Sequence, residues 1–362
     1  MNELEQARLV ISETDAAMAA LFEKRMRAVE QVAAYKKERG LPVLDPARED
    51  AVVKSGCARI GDPVLREYYV RFLRDVMAVS RAYQGRLISG IRAAYSGVPG
   101  AFAEEAVRKL FPDGVPVPCA GFAEAYEAVE NGDCDAAVLP MENSFAGDVG
   151  AVYDLLFSGP LFINGILDLA VTQNLLALPG TDIGQIRTVI SHPQALGQCA
   201  AFIRGHGFET REYGNTAQAA KFVSELGDPS VAAIGTEEAA RLYGLTVLAR
   251  KINESGQNTT RFAVLSRTEN DAPGREDDSF FLVFSVKNQA GSLAEAVNII
   301  GRHGYNMRSL HSRPLKTLLW NYYFYVEGEG NIRSENGRAM MAELSAVCDK
   351  LKLVGTYPLK GR

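Results

Sequence analysis

The sequence predicts a multidomain chain: an all-α amino-terminal domain, a two-lobed α/β centre and an α+β ferredoxin-like plait at the carboxy terminus. Three observations carry this. From Leu4 to Lys36 there is no glycine or proline, and one seam repeats at alternating steps of four and three, the period of a long helix with a heptad-like stripe. Between Gly90 and Arg267 short apolar runs alternate with helical stretches, which predicts strands and crossover helices in largely parallel sheets. After an acidic, Gly- and Pro-containing linker, Glu269–Asp278, the pattern reads β-α-β-β-α-β.

Composition narrows the function classes. With 362 residues, 47% hydrophobic and 23% charged, the chain is an ordinary globular protein long enough for two or three domains. A net charge of -5 argues against a general nucleic-acid or anionic-membrane surface. Five cysteines, with no close pair, and four dispersed histidines offer neither a disulfide framework nor a metal site, and suit a reducing cytoplasm. The start, Met-Asn-Glu-Leu-Glu, lacks the regions of a signal peptide. No apolar stretch approaches the ~18 residues of a membrane span. The expectation is a cytoplasmic protein with no cofactor, no metal and no membrane or nucleic-acid partner.

In the first helix the seam runs Leu4, Arg8, Ile11, Asp15, Met18, Phe22, Arg25, Val29, Val32, Lys36. Three cations on one seam need compensation, because unpaired buried charge is costly, and an anionic ligand supplies it. At ~1.5 Å rise per residue Arg25 and Lys36 are ~16 Å apart and their side chains can converge on one small molecule, whereas Arg8 lies ~25 Å from Arg25. Arg8 reaches that pocket only from a second, antiparallel chain, so the seam predicts a dimer with composite sites. Gly40-Leu41-Pro42 ends the helix. Asp45 and Pro46 then read as N-cap and N1 of a second helix with Arg48 and Glu49 in its first turn. After Gly61-Asp62-Pro63, a third helix from Val64 to Ile88 sets Ser80 and Gln84 on one face.

In order and spacing, Arg8, Arg25, Lys36, Asp45, Arg48, Glu49, Ser80 and Gln84 resemble the active-site pattern of the all-helical chorismate mutases, over residues 1–90. The resemblance implies an intertwined homodimer that rearranges chorismate to prephenate. It also implies arginines on the two carboxylates (the first from the partner), Lys36 and Gln84 at the ether oxygen, and Glu49 at the ring hydroxyl. Such a reaction needs only a held conformer and cations at the breaking C–O bond.

Five strand-to-helix junctions stand out in the centre. They are Ser96–Gly100 before a helix from Ala101, Pro140–Ser144 before one near Ala151, Ser191–Gln194, Asn215-Thr216, and Gly235-Thr236. Small, hydroxyl and amide residues collect where open α/β sheets bind ligands and where helix N-termini favour anions. With no GxGxxG and no Walker loop, nucleotides are not indicated. The polar stretch Asn253–Arg261 lies between two apolar runs, Leu245–Ile252 and Phe262–Leu265, which read as buried strands. Its amide, hydroxyl and guanidinium (Asn258, Thr260, Arg261) make it the loop expected to close a cleft around a small anion. The chain is expected to cross between lobes near Asp168 and again near Leu245.

As motifs, Tyr95–Phe102, Pro140–Ser144 with Gly147, Ser191–Leu196, Asn215–Ala217 and Asn258–Phe262 resemble prephenate dehydratase over residues 91–268. The resemblance implies a two-lobed fold like that of periplasmic binding proteins and conversion of prephenate to phenylpyruvate. It puts Thr260 nearest the leaving hydroxyl, with Glu142 the expected supporting acid and Arg261 on a carboxylate. Asn143, Ser144, Gln194, Thr216 and Asn258 would orient the substrate. Ala101 and Ala103 stand where the family commonly has Thr and Ser, and Gly214 where some members carry Glu.

The last segment predicts strands at Ser279–Val286, Asn306–His311, Leu319–Val326 and Leu353–Tyr357, and helices at Leu293–His303 and Arg338–Leu351. Residues 279–362 resemble the ACT domains that bind amino acids at subunit interfaces. Gly291-Ser292-Leu293-Ala294 and Ser312-Arg313-Pro314 match the two phenylalanine-sensing motifs of dehydratases, with His311 where a Glu is usual. Together the resemblances imply a bifunctional enzyme of phenylalanine biosynthesis, fed back on by L-phenylalanine, in a homodimer or higher oligomer. The alternatives are a dehydratase acting on arogenate and a non-catalytic amino-acid-binding protein.

Overall fold

The computed structural model describes residues 2–254, 258–270, 277–315 and 321–358. Residues 255–257 of the polar stretch, 271–276 of the expected linker and the first two residues of the expected strand at 319–326 lie outside the described residues. The chain divides into two compact units, Met1–Arg92 and Ala93–Arg362.

The first unit is three helices, α1 (Glu3–Arg39), α2 (Pro46–Cys57) and α3 (Pro63–Ser89). Their limits follow from capping chemistry. Asn2 and Glu5 form a capping box, Gly40 closes α1 in the left-handed conformation at φ 61°, and Asp45 and Asp62 cap the other two. Only Val29 and Ala33 of α1 are buried. The seam residues nearer its amino end, Leu4, Ile11, Met18 and Phe22, are each at least 45% exposed. That half of the stripe is exposed among the described residues.

In the second unit, the first lobe contains β1 (Arg92–Ser96), α4 (Phe102–Leu110), β2 (Val115–Cys119), α5 (Phe122–Glu130), β3 (Ala136–Asn143), β4 (Gly147–Asp148), α6 (Gly150–Ser158) and β5 (Phe162–Ala170). The second lobe runs through β6 (Asn174–Ala177), β7 (Thr188–Ser191), α7 (Pro193–Gln198), α8 (Ala200–His206), β8 (Glu209–Glu212), α9 (Thr216–Leu226), β9 (Val231–Gly235), α10 (Glu237–Leu242) and β10 (Thr246–Ala249). The chain then returns to the first lobe as β11 (Thr259–Ser266). The plait follows as β12 (Ser279–Ser285), α11 (Ser292–Arg302), β13 (Asn306–Pro314), β14 (Tyr322–Glu329), α12 (Glu335–Val347) and β15 (Lys350–Tyr357).

The sheets are mixed rather than largely parallel. β1 and β3, β7 and β8, and β7 and β9 are parallel, but β11 is antiparallel to both β3 and β5, and β6 is antiparallel to β9 and β10. The antiparallel members are the strands that enter or leave a lobe, and a returning strand runs opposite to the one beside it. The first crossing occupies residues 171–173. The second follows β10, a few residues later than Leu245, which packs inside the second lobe. The two crossings are bonded to each other: Val171 N–H donates to the Asn258 carbonyl at 2.8 Å and Ile252 N–H to that of Gln173 at 2.9 Å.

The plait and the first lobe share one ten-stranded sheet, joined where β15 meets β5 at Gly355 and Ile163. A Cβ on Gly355 would lie 1.9 Å from the Ile163 carbonyl oxygen, so only glycine permits that approach. A core of Tyr126, Leu139, Met141, Tyr153, Phe281, Tyr323 and Tyr325 fills the space between lobe and plait.

Candidate active sites

In the helical unit, Arg25 on α1 donates to the Ser80 hydroxyl on α3, and Lys36 Nζ donates to the Val43 carbonyl at 2.5 Å. Glu49 on α2 is ion-paired with Arg81, a residue the sequence pattern did not single out. Ser80 and Gln84 are buried, and Gln84 Oε1 has no hydrogen-bond partner among the described residues. A buried acceptor without a donor is a polar group waiting for a ligand. Asp45 accepts from the Arg48 N–H at 3.0 Å, so its carboxylate works as a cap, and the Arg48 side chain is exposed. Arg8 lies on the exposed half of α1.

In the second unit a cleft of about 190 Å³ lies between the lobes. It is lined by Phe102, Asn143, Val171, Gln173, His192, Gln194, Ala195, Gln198, Asn215, Thr216, Asn258 and Thr260. Three of the five junctions contribute, and the helix after the first adds Phe102. The fifth, Thr236, instead caps α10 and donates to the Gly100 carbonyl at 2.8 Å. Among the described residues the lining has no Lys or Arg, so the groups there that favour an anion are backbone N–H groups and helix N-termini. The start of α9, whose cap Asn215 and first residue Thr216 both face the cleft, is the clearest such end.

Asn143 organises this cleft. Its Nδ2 donates to Asn258 Oδ1 and Thr260 Oγ1, each at 2.9 Å, and its Oδ1 accepts from the N–H groups of Phe145 and Ala146 at 3.0 Å. Gln194 Nε2, on the other lobe, reaches the same Oδ1 at 3.4 Å. With Oγ1 already accepting, the Thr260 hydrogen is free to point into the cleft. Ser144 is engaged in pinning the strand ends: its N–H and Oγ bond the Thr259 carbonyl and N–H at 2.9 and 3.0 Å.

Two expected residues lie elsewhere. Thr259 to Arg261 belong to strand β11, and Pro140 to Asn143 to strand β3, rather than to loops. Side chains alternate along a strand, so Thr260 and Asn143, which are cross-strand partners, share the cleft face, whereas Arg261 and its partner Glu142 face the other way. Arg261 makes a bidentate pair with Asp168 (2.9 and 3.3 Å) and a 2.9 Å bond to buried Glu327 of β14. The bond to Asp168 raises the guanidinium pKa still further above its ordinary range. In this chain Arg261 is therefore held away from the cleft face by Asp168 and Glu327, and the side chain bonded to Thr260 is the Asn143 amide rather than Glu142.

The face of β14 that meets the first lobe explains what Arg261 does. Tyr323, Tyr325 and Glu327 alternate along it. Tyr323 donates to Asp154 on α6 at 2.7 Å, Tyr325 donates to Asp148 on β4, and Glu327 holds Arg261 on β11. Burial, and then the bond to Asp148, push the Tyr325 phenol far up. His311 Nδ1 stands 2.8 Å from the same Asp148 carboxylate and its ring stacks on Tyr325 at 5.0 Å. Arg313 makes a bidentate pair with Asp154 at 2.9 and 3.2 Å. Gly291, in the left-handed region at φ 91°, precedes Ser292, Leu293 and Ala294 in the first turn of α11. Ser285 at the end of β12 is opposite Tyr323, which is opposite Arg313. The chain therefore enters the Gly291 loop at the same end of the sheet as Ser312, Arg313 and Pro314.

The fold and these two sites define an enzyme of small-anion chemistry: a helical pocket of cations and amides, and a separate two-lobed cleft with a poised hydroxyl. Residues 7–85 match the family model for chorismate mutase type II and residues 93–270 that for prephenate dehydratase. A bifunctional chorismate mutase/prephenate dehydratase of Enterobacter agglomerans is 34% identical over 99% of this chain and 96% of its own. An arogenate dehydratase/prephenate dehydratase of Arabidopsis thaliana is 36% identical over 75% of this chain and 74% of its own. Among solved structures, a prephenate dehydratase from Arthrobacter aurescens in complex with L-Phe aligns with a TM-score of 0.69 at 28% identity, covering 74% of this chain and 90% of that one. The chain belongs to the bifunctional chorismate mutase/prephenate dehydratase family. It is a two-activity enzyme that forms prephenate from chorismate and then decarboxylates and dehydrates prephenate to phenylpyruvate.

The motif reading included Phe102, His192 and Asn215 without giving them a role, and passed over the cleft residues Gln173 and Gln198. His192 and Asn215 cap α7 and α9 with their side chains, a signal already visible as a capping residue before each helix. Thr172-Gln173-Asn174, a short polar stretch between two apolar runs, was the available signal for the crossing. No described helix is long and apolar enough to cross a membrane.

Proposed function

We propose that the mutase works through Arg25, Lys36, Glu49, Ser80 and Gln84 of one protomer, with Arg8 supplied by its partner, and that Asp45 and Arg48 shape the entrance. What supports the shared site is the bare half of the α1 seam, which carries Arg8 and needs an apolar cover. A second copy running antiparallel covers it and brings Arg8 to the pocket. Gln84, whose Oε1 has no donor among the described residues, is proposed to present its amide the other way round, with Nε2 and Lys36 donating to the ether oxygen.

For the dehydratase, the observation that carries the reading is the Asn143–Thr260 bond in the cleft. Asn143 occupies the Thr260 oxygen, so the Thr260 proton goes to the ring hydroxyl as its C–O bond breaks, and Thr260 regains a proton from solvent. The C–C bond to the departing carboxylate supplies the electron pair that completes the aromatic ring. Thr216 and Asn215 at the start of α9, with Gln194 and Asn258, hold the remaining carboxylate and keto group. Given chorismate alone, the purified protein should form phenylpyruvate; accumulation of prephenate would sink the second half of this reading.

Residues 1–90, 91–268 and 279–362 are taken as mutase, dehydratase and ACT domains, and the cytoplasm as their compartment, which suits five cysteines with no close pair in sequence. L-phenylalanine is proposed to bind at Gly291–Ala294 and Ser312–Pro314 where two plaits meet. Its effect would travel through Tyr323, Tyr325 and Glu327 to the strands that carry Asn143 and Thr260. Arogenate, with an ammonium where prephenate has a keto oxygen, is the alternative substrate, and parallel turnover of both compounds decides between them.

A further inference from the structure

One polar group of the dehydratase cleft has no task in the scheme above. Gln173 lies on the first crossing between lobes and is 2% exposed. Its backbone is held on both sides: the N–H donates to Asn253 Oδ1 at 3.2 Å, and the carbonyl accepts from Ile252 at 2.9 Å. Its Nε2 donates to Gln198 Oε1 at 3.3 Å, which sets the rotation of the amide and turns Oε1 away from Gln198. That Oε1 is buried and has no hydrogen-bond partner among the described residues, although the side chain lines the same cleft as Thr260. Asn258 Nδ2 is buried and partnerless among them too. The walls that carry Thr260 therefore also hold one open acceptor and one open donor among the described residues, and a buried polar group left open in a cleft calls for a partner.

Prephenate restricts how they can be met. Its two carboxylates and its keto oxygen only accept, and any of them satisfies Asn258. Its sole donor is the ring hydroxyl, which is also the leaving group. We propose that Gln173 Oε1 accepts the hydrogen of that hydroxyl, turning a lone pair of the ring oxygen toward the Thr260 proton. This rests on the reading of the cleft as the dehydratase site. The ring oxygen keeps its own hydrogen and the C–O bonding pair, gains the Thr260 proton and departs as water. Gln173 thus selects for a free ring hydroxyl, and its place on the crossing lets it do so only when both lobes are in register.

The test uses the full-length protein with Gln173→Met, which keeps the bulk and removes the acceptor, and Gln173→Glu, which keeps an acceptor oxygen. Leaving the substrate donor unpaired is expected to lower dehydratase kcat by about 10- to 100-fold in Q173M, with KM within about threefold of wild type. Q173E should recover most of kcat while raising KM for the dianionic substrate, and mutase turnover should stay at the wild-type value in both. Wild-type kcat in Q173M overturns the proposal, and so does an equal fall of kcat in Q173M and Q173E, which marks a packing role. A shift of Q173E toward arogenate over prephenate also overturns it, by placing the oxygen at the amino position. If the wild-type protein itself yields no phenylpyruvate from prephenate, the reading of the cleft fails, and that result is separate from the other three.

Discussion

Replacing Asn143 by Asp tests the dehydratase centre with the least structural disturbance. The side chain keeps its size and the oxygen that accepts from Phe145 and Ala146, but its Nδ2 donor becomes a second oxygen facing Asn258 Oδ1 and Thr260 Oγ1, both now at 2.9 Å. Both bonds that Nδ2 donates are lost, at ~1–1.5 kcal/mol each, or ~2–3 kcal/mol together. At ~1.36 kcal/mol per tenfold this is a fall of ~30- to 150-fold in kcat. At Thr260 the bond reverses rather than vanishes: its hydrogen turns toward the new carboxylate and away from the substrate, which puts the fall in kcat. The assay is phenylpyruvate formation from prephenate, with chorismate turnover of the same protein as an internal control in a separate compact unit. A dehydratase kcat within threefold of wild type would refute the assignment of Asn143 as the partner of Thr260. So would an equal fall in both activities.

Arg8→Ala and Arg25→Ala proteins are each expected to be nearly inactive as mutases. When subunits exchange at equal concentration, half of the dimers are mixed with one intact site each, so about a quarter of wild-type activity should return; no recovery despite exchange would place Arg8 outside the site. Glu327→Ala removes the carboxylate shared by Arg261, Arg308 and Tyr357, which should lower stability toward urea by ~3–5 kcal/mol, the cost of breaking a buried pair. The same change should weaken inhibition by L-phenylalanine, and unchanged inhibition would show that the signal takes another route. Burial, then the neighbouring Lys350, bring the Lys352 ammonium down from 10.5 to about 8. The native state therefore sheds this proton before the unfolded state does, so the contribution to stability rises as pH climbs from about 8 to 10.5. Lys352→Met should remove that rise from the unfolding curves, and an unaltered slope would show that Lys352 titrates normally.

Much of the architecture was legible because its causes are local. Gly40, Asp45-Pro46 and Asp62-Pro63 mark the helix limits of the first unit by φ preference and capping, and both lie in neighbouring residues. The seam from Leu4 to Lys36 likewise keeps one stripe through its exposed and its packed half, the feature on which the proposed dimer rests. Capping residues before α7, α9 and α10 marked where sheet ends meet helix starts, and most of those ends do line the cleft.

What the sequence by itself determined, then, is the order of elements, the chemical types gathered at the strand ends, and Thr260 as a residue of the cleft. Only the tertiary structure decided which neighbours share a face. Asn258 to Arg261 looked like one loop with three functional groups, but as the approach to and start of a strand it sends Thr260 into the cleft and Arg261 to Glu327. The face of a strand is set by pairing register, and the register of β11 depends on β3 and β5, which lie about a hundred residues away in the chain. Gln173 escaped the reading for the same reason: its open oxygen exists only once both crossings lie side by side. Periodicity and capping act between neighbours along the chain, whereas strand faces and open hydrogen bonds depend on partners that folding alone brings together.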